Sequence, residues 1–351
     1  MSSSNTLPLA LGLILFSFLV TSALIIPYID LLYKLKLTRR KEAPSEGKIP
    51  LFDKLHDTKA GTPVGGGVLI ILMVTIIFAL LFPFASHMGV KLLSSYDMKT
   101  ELFIIFFTFI SFGLLGFSDD LVKIFGRPKK GTLGMLFGLR RRHKFILQWI
   151  LALIISYIMY KNLGISILHI PIIDKVINLK IFYVPFAALV IVSFTNAFNI
   201  TDGLDGLASG LLVICLIAFA AIAASSLDTP LSLLIALWIG TLIAFLYFNV
   251  WPARIFLGDA GALSFGAMLA VIGLLTGCIV ALIVIGGIFV VEVVTSGVQI
   301  LGWKILKRPI FPIAPFHHAF LAIGWEEPKI VMRAWLAGII LAIFGLWLAT
   351  I

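Results

Sequence analysis

A chain of 351 residues that is 60% hydrophobic and only 13% charged, with a mean hydropathy of +1.11, lies far outside the composition of soluble globular domains. The formal charge is +10, and the two cysteines, Cys215 and Cys278, both fall inside apolar stretches, which excludes a disulfide scaffold. What remains is a polytopic membrane protein.

In chain order, the first apolar run extends from Leu7 to Ile29 and continues to about residue 33. The start, MSSSNTLPLA, has no basic region, so this run is read as a retained first helix rather than a cleaved signal. A crossing needs about 20 apolar residues, and further runs of that kind lie near 63–84, 101–118, 145–161, 182–199, 206–226 and 231–250. From Ala262 to Trp303 there are 42 residues with a single charge, Glu292. At about 1.5 Å per residue that is roughly 63 Å of helix, too long for one crossing of a core about 30 Å thick. Two helices turning near Gly277 are therefore expected. A last run over 331–351 brings the expected count to ten, and the fold class is an all-α polytopic membrane protein whose single domain spans 1–351.

Orientation follows from the basic residues, because short cytoplasmic loops carry an excess of Lys and Arg. The alternating faces put 22 of the 27 on one side, in stretches Lys34–Lys59, Lys123–Lys144, Arg254 and Lys304–Arg333. That side is expected to be cytoplasmic, with loops near 34–62, 119–144, 200–206, 251–262 and 304–330 and both termini outside. The basic excess thus serves topology and an anionic substrate or lipid surface, and no nucleic acid partner is expected.

Four polar clusters fall on that same face: GFSDDLVKIFG (116–126), NITDGLDG (199–206), RIFLGDAGALSFG (254–266) and APFHHAF (314–320). Asp119, Asp120, Asp202, Asp205 and Asp259 are hard oxygen ligands of the type that bind Mg²⁺, which one or two carboxylates hold together with substrate phosphates. A diphosphate substrate is implied. Gly203, Gly206, Gly258 and Gly261 allow turns and close approach of a ligand, and helices restarting after them offer amides to anions. Lys59, Lys123 and Lys144 are placed to neutralise phosphate charge. Each cluster alone also reads as a turn or helix cap; four on one face point to a site.

The segments KAGTPVGGG (59–67), GFSDDLVKI, GLRRRHKFILQ (138–148), NAFNITDGLDGLA, FLGDAG, VQILGWK (298–304) and PFHHAF resemble, in that order, the signatures of the phospho-N-acetylmuramoyl-pentapeptide transferases, ten-helix enzymes of bacterial plasma membranes. They form part of the polyprenyl-phosphate N-acetylhexosamine-1-phosphate transferases. The resemblance implies Mg²⁺-dependent transfer of phospho-MurNAc-pentapeptide from UDP-MurNAc-pentapeptide to undecaprenyl phosphate, giving lipid I and UMP, in a homodimer with its site on the cytoplasmic face. It further implies acid and base chemistry on Asp119 and Asp120, with Asp259 as the main magnesium ligand and Asp120 beside it. Lys59, Lys123 and Lys144 correspond to residues at the diphosphate. Asn199, Asp202, Gly203, Leu204, Asp205 and Asn249 correspond to a nucleoside pocket in which Phe256 stacks on uracil, and Gln299, His317 and His318 to the opposite rim.

One departure stands out. The family pattern has three consecutive histidines with Glu two residues later, whereas this chain reads His317, His318, Ala319, Phe320, Leu321. That leaves room for a relative using another UDP sugar, such as UDP-GlcNAc. Glu292, ionisable and well inside a span, shares a helix face with Gln299 seven residues on, and is read as a bundle-interior hydrogen-bonding group. A secondary transporter is the rival class, but no internal repeat is evident and the carboxylates gather at one face rather than at midplane. Direct attack by the lipid phosphate and a two-step route through a covalent enzyme call on the same residues.

Overall fold

The structure, a computed structural model, describes residues 6–39, 59–85, 87, 91–125 and 141–351. In these, helices α1 (Thr6–Lys34), α2 (Gly66–Leu81), α3 (Met98–Phe125) and α4 (Arg141–Asn162) are followed by a small hairpin of β1 (Ile167–Ile170) and β2 (Lys175–Asn178). Then come α5 (Tyr183–Thr201), α6 (Leu207–Ser225), α7 (Thr229–Asn249), α8 (Gly258–Leu275), the short α9 (Ile279–Ile285), α10 (Gly287–Ile305), the short α11 (Phe316–Ala322) and α12 (Glu327–Thr350). Ten of these helices are long and apolar enough to cross a membrane. The chain is a multi-pass membrane protein.

Local chemistry sets several of the boundaries. Asp228 caps α7 by accepting from the Leu231 amide at 3.0 Å, and Pro230 occupies the first turn, where its missing N–H costs nothing. Gly206, at φ +77°, takes the left-handed turn that separates α5 from α6. In the hairpin, Ile167 pairs with Asn178 and Ile170 with Lys175.

Helix α8 is the central element: 89% of its most apolar 18 residues are buried, against 17% for α10. It packs on α2, α3 and α5. The contact with α3 is close because Gly116 faces the start of α8, and a Cβ there would lie 2.0 Å from the Asp259 carbonyl oxygen. Deeper in the bilayer an aromatic chain ties five helices together. Phe109 of α3, Trp238 of α7 and Phe265 of α8 meet at centroid distances of 5.1 to 5.7 Å, and Phe198 of α5 bridges Phe265 to Phe289 of α10 at 6.1 and 5.0 Å. Edge-on and offset aromatic pairs of this kind contribute beyond their buried area.

The ten expected spans are present, with three differences. The third run, expected to end at residue 118, continues as helix to Phe125, so Asp119 and Asp120 stand on a helix rather than in a loop. The chain does turn at Gly277, at φ +70°, but the second half of the long apolar run is broken again at Gly286, between α9 and α10. The segment read as a 304–330 loop contains α11. The stretch 40–58 and residues 126–140 lie outside the described residues.

The tight α3–α8 contact makes a prediction. Gly116→Ala should lower the thermal midpoint in detergent by the equivalent of about 1–3 kcal/mol, the usual cost of overpacking. Gly297→Ala, in α10 where nothing lies within 4 Å of the added Cβ, should leave it unchanged or raise it slightly. Equal midpoints for the two variants would show that α3 and α8 separate without cost.

Candidate active site

The ends of α3, α4, α5 and α8 converge on a group of opposed charges. Asp119 and Asp120 sit in the last two turns of α3, buried at 1% and 6% exposure. Asp120 is spent on architecture: its Oδ1 accepts from the Asp259 amide at 2.9 Å and its Oδ2 from the Ala260 amide at 3.0 Å. It therefore caps the first turn of α8 from a neighbouring helix, where amides are unsatisfied and the dipole favours an anion. Gly258, at φ +79°, admits this contact, since a Cβ there would lie 2.7 Å from Asp120 Oδ2.

That cap brings Asp259, on α8, beside Asp119, on α3. Two lysines lie between them. Lys144 Nζ, from α4, is 2.7 Å from Asp119 Oδ2 and also pairs with Asp259 Oδ2. Lys123 Nζ, one turn beyond Asp119, is 2.8 Å from Asp259 Oδ2 and 3.3 Å from Asp119 Oδ2. Lys123 is 44% exposed and Lys144 15%, so the pair forms one wall open to solvent. Asp119 Oδ1 is buried and, among the described residues, has no hydrogen-bond partner.

Around this centre the remaining expected residues fall into two kinds. Several are committed to holding loops. Asp205 accepts from Lys59 at 2.6 Å through one oxygen and from the Ala253 amide at 2.9 Å through the other. Lys59 is buried and also 2.6 Å from Glu327, whose Oε1 accepts in turn from the Asp205 amide at 2.5 Å. Asn249 accepts from Ser209 at 2.6 Å and donates to the Ile255 carbonyl at 3.0 Å. Gln299 donates to the Phe311 carbonyl and accepts from the Ile310 and Phe311 amides, all within 3.1 Å. Leu204 is buried in the core.

The others lie around the α5 terminus. Asn199, Asp202 and Gly203 are half-buried at the α5 terminus, and Phe256 is half-buried with the Arg39 guanidinium 5.7 Å from its ring centre. Burial pushes the Asp202 carboxyl up to about 7, reinforced by the carboxylates of Asp259 and Asp205 and opposed by Lys59 and Arg39. His317 is buried with its Nε2 against Gly203, 2.6 Å from where a Cβ would lie, and the His318 ring centre is 4.1 Å from its own. Behind it, Glu292 accepts from the His317 amide at 3.1 Å. The structure thus joins the double Asp, GDAG and basic segments at one point, and sets the HHAF segment against NITDGLDG.

Sequence reasoning missed Glu327 and Arg39. Glu327 carried only the faint signal of an acid beside Pro328 at a helix start, and Arg39 lay within a basic run read as topology. Among the described residues no three carboxylate, histidine or cysteine side chains converge as a metal-binding group. The pair Asp119 and Asp259 nevertheless fits Mg²⁺ of the kind completed by substrate phosphates and water. Asp259 Oδ2 and Asp119 Oδ2, whose contacts among the described residues are the Lys123 and Lys144 ammonium groups, are the donors such an ion needs, and Asp119 Oδ1 stays unpartnered.

Comparison with known proteins shows the family. The family described as glycosyl transferase family 4 matches residues 102–277, which include the double Asp, NITDGLDG and GDAG segments. The phospho-N-acetylmuramoyl-pentapeptide-transferase of Geobacillus sp. (strain WCH70) is 33% identical over 339 residues, covering 95% of this chain and 96% of that protein. That of Clostridium botulinum (strain Alaska E43 / Type E3) is 33% identical over 340 residues, covering 96% of each. That of Caldanaerobacter subterraneus subsp. tengcongensis is 35% identical over 287 residues, covering 82% of this chain and 84% of that protein. Likeness of this extent, running through every helix that builds the charged centre, shows that the chain belongs to the phospho-N-acetylmuramoyl-pentapeptide-transferase family.

Proposed function

We propose that this membrane enzyme transfers phospho-MurNAc-pentapeptide from UDP-MurNAc-pentapeptide to undecaprenyl phosphate, forming lipid I for peptidoglycan synthesis and releasing UMP. The observation that carries the reading is the convergence of Asp119, Asp259, Lys123 and Lys144 at one end of the helix bundle. A diphosphate is the ligand that both lysines can grip. Placement of that end in the cytoplasm is supported by the 22 of 27 basic residues assigned there by alternation of the spans. A soluble nucleotide and a lipid headgroup meet at such an interface. The same family resemblance implies a homodimer, for which light scattering in detergent should give twice the protomer mass.

In the reaction, an oxygen of the lipid phosphate attacks the phosphorus that bears the sugar. The bond from that phosphorus to the bridging oxygen breaks, and UMP departs with the bridging oxygen. Asp119 takes the proton of the lipid phosphate on its free Oδ1. Lys123 and Lys144 exchange their carboxylate partners for diphosphate oxygens and stabilise the charge that develops on them. Mg²⁺, when bound, is held by Asp259 and substrate phosphates and supplies further charge neutralisation. Asp120 keeps the first turn of α8 in place, and Phe256 and Asp202 flank the nucleoside.

Turnover of purified protein with undecaprenyl phosphate and Mg²⁺ tests the substrate. UMP should be released with UDP-MurNAc-pentapeptide and not with UDP-GlcNAc. Equal turnover of the two would overturn the assignment in favour of a related N-acetylhexosamine-1-phosphate transferase, and release from neither would favour a transporter.

Asp259→Asn keeps size and the α8 amide that Asp120 accepts, while removing the charge that balances both lysines. It should insert normally and lose nearly all UMP release. Near wild-type turnover at ordinary Mg²⁺ would remove Asp259 from the metal.

Asp202 yields a test in pH. Its folded-state pKa, about 7, lies above the ordinary carboxylate value of 3.8, so folding favours the protonated form. Stability linked to this group is full below about pH 4 and declines as pH rises toward 7. Asp202→Asn does not ionise, so its thermal midpoint should gain on wild type between pH 5 and pH 8 while uridine-nucleotide affinity falls. A constant difference in midpoint across that range would mean that Asp202 is charged throughout.

A further inference from the structure

Glu292 has two attachments to the same histidine. Its Oε1 accepts from the His317 amide at 3.1 Å, and its Oε2 lies 3.1 Å from His317 Nδ1. Both side chains are buried, Glu292 at 2% and His317 at 2% exposure. This burial is unusual for its helix: on α10 only Phe289, Glu292 and Gly302 are buried. The break at Gly286 sets the direction of α10, and a Cβ at Gly286 would lie 2.7 Å from the Phe194 ring. One turn before Glu292, Phe289 stacks on Phe198 of α5 at 5.0 Å, so the same packing that fixes α5 fixes the depth of the carboxylate.

The surroundings hold one further charge, Arg333, whose guanidinium lies 4.3 Å from the Trp325 ring centre. Glu292 and His317 border a cavity of about 230 Å³ whose other walls include Phe320, Trp325, Ile330 and Arg333. In such a weakly polar setting a carboxylate and an imidazole at 3.1 Å attract strongly and are poorly screened. The Nδ1 contact, at 3.1 Å, is not in line for a hydrogen bond. Rotation of the imidazole ring would bring the two atoms into line, and catalytic hydrogen bonds commonly tighten in the reacting complex. The other ring nitrogen, Nε2, has no partner among the described residues and faces Gly203, beside Asp202.

We infer that Glu292 is a positioning residue for the transfer reaction: its carboxylate holds His317 in the Nδ1–H tautomer and so presents Nε2, with its lone pair free, to the 202–206 turn and the substrate bound there. The inference rests on the transferase reading above. In this tautomer His317 accepts a hydrogen bond from a hydroxyl or protonated phosphate of the substrate. A carboxylate behind a histidine fixes both the tautomer and the ring orientation. No bond is made or broken on Glu292 itself.

The test exploits an isosteric change. Glu292→Gln keeps an oxygen to accept from the His317 amide, but its amide N–H₂ meets Nδ1 as a donor and forces the opposite tautomer, with Nε2 protonated. It should keep the wild-type thermal midpoint and the KM for UDP-MurNAc-pentapeptide within about twofold, while kcat for UMP release falls at least tenfold, as for other orienting partners of functional histidines. The double variant with His317→Gln should be no slower than His317→Gln alone, because both changes remove one unit. Wild-type kcat in Glu292→Gln, or additive losses in the double variant, would overturn the inference and reduce Glu292 to a helix cap. Wild-type protein assayed in parallel keeps the two readings distinct, since absence of UMP release there refutes the transferase and not the pairing. Should Glu292→Gln fail to accumulate, ¹⁵N-histidine spectra of the wild-type protein decide: the resonance assigned to His317 should show a protonated Nδ1 and bare Nε2, and the reverse pattern sinks the proposal.

Discussion

The site depends on one buried carboxylate whose two oxygens are both engaged by backbone amides. Asp120 satisfies two amides at the start of the most deeply buried helix, and in doing so fixes α8 against α3 in both height and rotation. Without that cap the first turn of α8 would present unsatisfied N–H groups to an interior where no water compensates them, at a cost of several kcal/mol. Together with the close approach at Gly116, it makes Asp119 and Asp259 neighbours. Adjacent acids in sequence thus divide the work: the first faces the lysines, and the second faces the backbone.

Charge balance supplies the second constraint. Buried charges are tolerated when paired and hydrogen-bonded, and removal of one partner is severe. Here Asp119 and Asp259 are matched by Lys123 and Lys144, while Lys59 is matched by Asp205 and Glu327. The two sets differ in character. The first shares single oxygens and opens to solvent through Lys123, so its lysines can change partners when an anion arrives. The second is enclosed, uses both oxygens of Asp205 and ties four separate segments, so it behaves as a joint.

Much of this was legible beforehand, for a physical reason: bilayer thickness and the basic bias of cytoplasmic loops act directly on composition. The ten spans and the turn at Gly277 follow from them. The extension of α3 to Phe125 did not, because hydropathy ends at Ser118 whereas backbone hydrogen bonding continues into the interface. Nor did the break at Gly286, where the residues on both sides are equally apolar. Within the site, residue types announced the chemistry but not the division of labour. Nothing in NITDGLDG distinguishes Asp205, with both oxygens engaged, from Asp202, which is half-buried at the α5 terminus. Glu292 was read as a bundle-interior hydrogen-bonding group, and it is one. That its partner is the histidine of the HHAF segment, 25 residues away, could not be inferred from spacing.

The joint formed by Lys59 and Glu327 spans 268 residues of sequence. Lys59 precedes the second span, and Glu327 opens the last. During membrane insertion the earlier spans enter the bilayer while the buried ammonium of Lys59 still lacks one of its two counter-charges and the Asp205 amide lacks its acceptor. The 202–206 turn therefore acquires its final support only when the tenth span arrives. Completion of this joint thus waits on the tenth span, since Glu327, its last member, opens that helix.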